Sequence, residues 1–149
     1  LFKSMMNQME IVKDKKAQFT SRYKIVHYLK TNTDIVMSHQ WANPLNYLYL
    51  DAVYLGYPLV HNAEMFADVC YYYEDFNLKQ AASQIINAAE NHDANLEEYK
   101  KDVASKIYRY MPENERLQQE YTKLLDSLFD EDVKNSISWE WDWKTNLYK

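Results

Sequence analysis

Glycine is almost missing: one residue in 149, Gly56, where average usage of about 7% would give roughly ten. A GxGxxG fingerprint or a P-loop cannot be built from it, because both need several glycines close together to let backbone approach phosphate. A single cysteine, Cys70, excludes a disulfide framework and a Cys-based zinc site. It also fits a reducing compartment, which points to the cytoplasm. Three prolines and no Gly/Ser tract exclude collagen-like and flexible-linker chains. No run approaches the roughly 18 consecutive apolar residues of a membrane span. Positive charge is short as well. Seventeen Lys and Arg against 22 Asp and Glu leave a formal charge of −5, without the basic face of a nucleic-acid binder. The chain opens Leu1-Phe2-Lys3, with neither an initiator Met nor a signal-peptide apolar run, and reads as a piece of a longer protein.

What is present is enough for a core, since 47% of the residues are hydrophobic. Leu1, Phe2, Met5, Met6, Met9 and Val12 recur at helical spacing and predict one amphipathic helix over 1–12. A methionine stripe of this kind is more often packing than a cofactor site. A lysine-rich break at 13–16 precedes a second helix over 21–30, ended by Thr31-Asn32-Thr33. Asp34 to Ser38 then reads as a short strand buried on both faces. Asn43-Pro44 predicts a helix start, with Asn at the N-cap and Pro at the first helical position. That helix should run from Pro44 to Leu55 and end at Gly56, where positive φ is wanted. A second strand over 57–61 completes a parallel βαβ unit. A third follows over 69–73. From Asn77 the chain reads as helical, over 78–90, 95–110 and from Pro112 to Phe129. The fold class is therefore α/β: the C-terminal part of a Rossmann-like domain over 1–129. Residues 130–149 form an acidic tail with Trp139, Trp141 and Trp143 at alternating positions. The tail reads as an edge strand or arm packed on this domain, or as a contact between copies of the chain.

In open parallel sheets, ligands bind beyond the carboxyl ends of the strands, near helix N-termini. His39, Gln40 and Trp41 follow the first strand, Asn43 to Asn46 open the helix, and His61 and Asn62 follow the second strand. Free N–H groups around Leu45 and Asn46 would face an anion. Asp51 would lie two turns on, on roughly the same face as Asn43. Each residue also has a plainer role: Asn43 as a cap, Asp51 as a solvated helix residue, Trp41 as a buried anchor. His39 and His61 read as paired hydrogen-bonding groups lining the crevice. A two-histidine metal site with Glu64 or Asp68 is the weaker alternative, having no established ligand spacing. Arg22 and Lys24 read as solvated, and Cys70 has apolar neighbours that would not activate a thiol.

The stretch Asp51-Ala52-Val53-Tyr54-Leu55-Gly56-Tyr57-Pro58-Leu59-Val60 resembles the Glu-Ala-x-x-x-Gly-x-Pro-Val-Val block of GT-B glycosyltransferases. The longer run from Ser38 to Asp51, with Pro58 to Asn62 and Tyr71-Tyr72-Tyr73, is similar to an uncharacterised bacterial family of glycosyltransferase-like proteins, up to about Phe129. The resemblance implies a nucleotide-diphosphate sugar as donor, no metal, and a facing N-terminal domain from the same protein. In many GT-B enzymes two glutamates eight positions apart contact the donor. Here those positions are Asn43, facing the sugar, and Asp51, facing the ribose hydroxyls. Pro44, Leu45 and Asn46 would meet the diphosphate. Asn43 departs from the pattern, because an amide does not offset developing positive charge as a carboxylate does. The rival reading is a non-catalytic GT-B-like scaffold that keeps the fold; a DNA-modifying transferase is disfavoured by the acidic balance. The resemblance predicts that this chain by itself transfers no sugar, since a base would come from the facing domain. Sugar transfer by the isolated chain in a donor-consumption assay would refute that.

Overall fold

The computed structural model describes residues 2–41, 43, 46–129, 141–142 and 147–148. Three parallel strands, β1 (Val36–Ser38), β2 (Leu59–His61) and β3 (Tyr71–Tyr72), lie in the order β1-β2-β3. Val36 pairs with Leu59 and Ser38 with His61, while His61 pairs with Tyr72. This is the expected α/β class, with helices interleaved among parallel strands and a long helix at the C-terminal end. The helices are α1 (Phe2–Met6), α2 (Glu10–Lys13), α3 (Ile25–Asn32), α4 (Tyr47–Tyr54), α5 (Leu78–Asn91), α6 (Leu96–Ile107) and α7 (Glu115–Ser127).

Alternation along the central strand divides the core in two. Leu59 enters a cluster with Leu29, Val36, Tyr49, Val53, Phe66, Val69, Val103 and Ile107, under α3, α4 and α6. Val60 turns the other way and meets Tyr73, Ala81 and Ala88 beneath α5. All three β2 residues are buried, as a strand covered on both faces requires. β1 does not share that environment. Its Met37 stays half exposed, because α5 packs on β2 and β3 and leaves that position of β1 uncovered.

Helix ends follow local chemistry where a side chain can act on its own neighbours. Asn77 Oδ1 accepts the Gln80 N–H (3.1 Å) and starts α5, and Asn114 Oδ1 accepts the Leu117 N–H (3.2 Å) at α7. α4 ends at Gly56 with φ +82°; Tyr57 N–H donates to the Ala52 carbonyl (2.9 Å) and Gly56 N–H to that of Val53 (3.0 Å). That pair of bonds is a Schellman closure. Pro58 sits just ahead of β2, where its missing N–H costs no ladder bond, and its carbonyl accepts the Val36 N–H (3.0 Å).

Several expected boundaries move. The single helix over 1–12 is two short ones, α1 and α2; Met5, Met9 and Ile11 are exposed, so no core surface supports continuous propagation. α3 begins at Ile25 rather than residue 21, since Ile25 is the first residue of that stretch to reach the core. β3 loses its first residues because Cys70 takes φ +65°, a left-handed conformation that breaks the extended chain. The largest change is at α4. It starts at Tyr47 and its cap is Asn46, whose Oδ1 accepts the Leu48 N–H (3.0 Å), not Asn43. Trp141–Asp142 pairs antiparallel with Leu147–Tyr148 as β4 and β5. Trp139 and Trp143 lie outside the described residues, as do Pro44 and Leu45.

Gly56→Ala tests the α4 closure. An added Cβ would meet Lys100 Cε at 3.0 Å, the mobile end of a side chain, so the cost lies mainly in the backbone. The expected loss is about 1–2 kcal/mol by chemical denaturation. Unchanged stability would show that the positive φ is not required.

Candidate functional site

The loops that leave the carboxyl ends of β1, β2 and β3 converge on one open cleft of about 380 Å³. Gln40, Trp41 and Asn43 come from the first loop, and Asn62, Ala63 and Glu64 from the second. Tyr72, Glu74, Asp75 and Phe76 come from the end of β3 and the loop beyond it.

Asn62 holds the three loops together. Its Oδ1 accepts the Gln40 N–H (2.6 Å), and its Nδ2 donates to the carbonyls of Gln40 (3.0 Å) and Asp75 (2.9 Å). This clamp draws the chain after β1 across the strand ends, so Gln40 is held by β2's loop and no helix starts there. Asp75 itself takes φ +44°, a conformation that Asp tolerates better than most residues. Gln40 Nε2 also donates to Ser38 Oγ (2.8 Å).

An aromatic wall stands at the mouth. Trp41 is 81% exposed and packs edge to face on Phe76 (5.6 Å between centroids), itself 56% exposed. His39 also packs on Phe76, edge to face (4.6 Å), and its Nδ1 lies 2.8 Å from the Tyr73 hydroxyl. The charge of the lining is one-sided: Glu64, Glu74 and Asp75 are present, and among the described residues it includes no Lys or Arg. Burial, and then the three carboxylates, push the Tyr72 phenol above its ordinary range. Tyr72 therefore faces the cleft as a neutral O–H group.

Of the residues singled out from sequence, Gln40, Trp41, Asn43 and Asn62 line this cleft and His39 braces its wall. Asn46 is occupied as the α4 cap, and Asp51 sits exposed within α4, outside the lining. The expectation that Asn43 and Asp51 share a helix face fails, because α4 begins after Asn43. At the α4 start Asn46 takes the N–H of Leu48 through its side chain and that of Tyr49 through its carbonyl.

His61 is not a crevice residue. It is fully buried, with Nε2–H donating to the Val69 carbonyl (2.9 Å) and Nδ1 accepting the Ala63 N–H (3.2 Å). Tyr49, Phe66 and Tyr72 surround its ring, whereas His39 keeps company with Tyr73 and Phe76. The expected histidine pair is thus split between two environments. Asp68 is engaged by Arg109 through two bonds (2.6 and 2.7 Å). Among the described residues no group of three His, Cys, Asp or Glu is placed to hold a metal ion. Arg22 and Lys24 are exposed, away from the cleft. The Cys70 thiol is pushed up to about 12 by burial, with Sγ 3.0 Å from the Tyr99 hydroxyl, and is no nucleophile at neutral pH.

Glu74, Asp75 and Phe76 were missed as site residues by sequence reasoning. The signal was available, since they directly follow a predicted third parallel strand, and the strand-end rule applies to it as to the first two.

Comparison with known proteins yields one family. The family described as "Protein of unknown function (DUF2827)" matches residues 1–125, and the chain belongs to it. No curated protein and no solved structure matches the chain. Among the described residues no helix is long and apolar enough to cross a membrane.

The buried His61 gives a pH dependence with a definite sign. Burial lowers its pKa below the ordinary 6.5, outweighing the opposing bond to Val69. Well above pH 7 the ring is neutral in both folded and unfolded chains. As pH falls below the unfolded value, the unfolded chain takes a proton that the fold refuses. Stability then drops by up to about 1.4 kcal/mol per pH unit until the folded pKa is reached. An NMR titration should show the His61 ring titrating below the ordinary 6.5, while a midpoint at or above 6.5 would contradict this.

Proposed function

We propose that this member of the DUF2827 family is the nucleotide-sugar-binding part of a GT-B-type glycosyltransferase, with the strand-end cleft receiving the sugar. One observation carries the reading. All three parallel strands deliver their loops to a single cleft whose mouth presents a nearly bare tryptophan ring. Open parallel sheets bind ligands at that end. A sugar ring has an apolar face that stacks on an aromatic and a rim of hydroxyls that need donors and acceptors. Trp41 and Phe76 supply the first; the Gln40, Asn43 and Asn62 amides and the Glu64, Glu74 and Asp75 carboxylates supply the second.

The glycosyltransferase resemblance of the 38–62 region is consistent with this placement. Its sugar-facing position is Asn43, which lines the cleft, and its ribose-facing position is Asp51, which is solvent-exposed on the next helix, α4. In this reading Asp51 is the ribose ligand.

A protein-interaction module remains a second reading on one specific observation. α7 contains no buried residue, and Tyr121, Leu124, Leu125 and Leu128 are exposed along it or just past its end.

Titration calorimetry of the chain against a panel of nucleotide-diphosphate sugars tests the proposal. Saturable binding of at least one is expected. Trp41→Ala should weaken it about tenfold or more, the scale of one aromatic stacking contact, without unfolding so exposed a site. Asp51→Ala should weaken it as well. No binding across the panel, or binding indifferent to Trp41, would remove the sugar reading; affinity unchanged in Asp51→Ala would remove the ribose role.

A further inference from the structure

We infer that this cleft selects its sugar by charge, accepting a ring without a negative group and rejecting one that carries a carboxylate. The inference rests on the sugar-binding reading and names the class of sugar within it.

Glu64 comes from the loop after β2 and Glu74 and Asp75 from the loop after β3, so two separate segments bring carboxylates to one cavity. The other lining groups, from Gln40, Trp41, Asn43, Asn62, Tyr72 and Phe76, carry no charge at neutral pH, and the described lining holds no Lys or Arg to balance the acids. Burial first, and then these three carboxylates, raise the Tyr72 phenol above its ordinary range.

The backbone fixes these positions. Asn62 Nδ2 holds the Asp75 carbonyl at 2.9 Å, and Gln80 Oε1 accepts the Glu74 N–H at 2.9 Å. Those two bonds keep the backbone that carries both acids at the rim of the cleft. An entering sugar displaces water from between the carboxylates and the ring, which raises their mutual interaction as the local dielectric falls. A neutral hydroxymethyl group gains hydrogen bonds to them. A carboxylate in the same place meets like charge and offers no proton to donate. An amine-bearing ring meets opposite charge between carboxylates and the Trp41 and Phe76 faces, a setting that suits a cation. The preference therefore runs from amine-bearing and neutral sugars to acidic ones.

The test compares two nucleotide-diphosphate sugars identical except at C6, hydroxymethyl in one and carboxylate in the other. The diphosphate and base then cancel. Calorimetry on the chain should show the neutral form binding about tenfold tighter or more at low salt, with the ratio shrinking as ionic strength rises. Glu64→Gln, Glu74→Gln and Asp75→Asn together keep the shapes, and Asn also tolerates the left-handed backbone at position 75. In that variant, checked for folding by circular dichroism, the ratio should move toward one. A wild-type ratio near one, or a ratio unmoved by the triple substitution, overturns charge selection and leaves the sugar-binding reading standing. Failure of both sugars to bind, with no member of the wider panel binding, overturns the two together.

Discussion

The side-chain amide of Asn62 ties the three strand ends to one another, and the candidate site exists because it does. β1 spans three residues and β3 two, so the sheet has few ladder bonds with which to position the loops at its edge. At the end of the central strand, one amide makes three bonds to two neighbouring loops. Each is worth about 1 kcal/mol net, while an unpartnered backbone group left behind would cost more. An Asp or Leu at 62 could not do this. The first lacks the two N–H donors and the second has no polar atom.

A second layer of constraints holds the sheet between its helices. His61 directs its ring into the α4 side of the core, where it bridges the turn that returns the chain to β3. The Schellman closure at Gly56 is locked from outside: His92 Nε2–H donates to the Gly56 carbonyl (2.9 Å), and the Tyr99 hydroxyl donates to that of Tyr57 (2.8 Å). The end of α4 is thus pinned to the junction of α5 and α6. The Arg109–Asp68 pair adds orientation between the turn after β2 and the end of α6, although both side chains remain substantially solvated and such pairs contribute little to stability. These bonds support a platform with an open, acidic and aromatic rim.

Much of this was legible one residue at a time. The sole glycine announced a helix end, and Asn77 announced the start of α5, because capping and positive φ depend on a few neighbouring atoms. The parallel βαβ unit followed from the lengths of the apolar runs. At Asn43 and Asn46 two plausible caps lay three residues apart, and no local rule separates them. Burial of Tyr49, Ala52 and Val53 on the sheet, with the pull of Asn62 on Gln40, selects the second. The same limit applies to His61. A histidine at a strand end reads alike whether it faces a crevice or the core, and only the neighbouring Tyr49, Phe66 and Tyr72 rings reveal which.

The near absence of glycine, the acidic balance and the order of short apolar runs determined, by themselves, an α/β chain without a glycine-rich phosphate loop. Those properties are set by composition and by contacts between residues close in sequence. The tertiary structure decided which strand-end residues share a cleft: Trp41 beside Phe76, Asn62 beside Asp75, and three carboxylates with no cation among the described lining residues. These pairs are far apart in the chain and meet only because parallel pairing brings every carboxyl end to the same edge of the sheet. That is a property of the assembled sheet, and no single segment carries it.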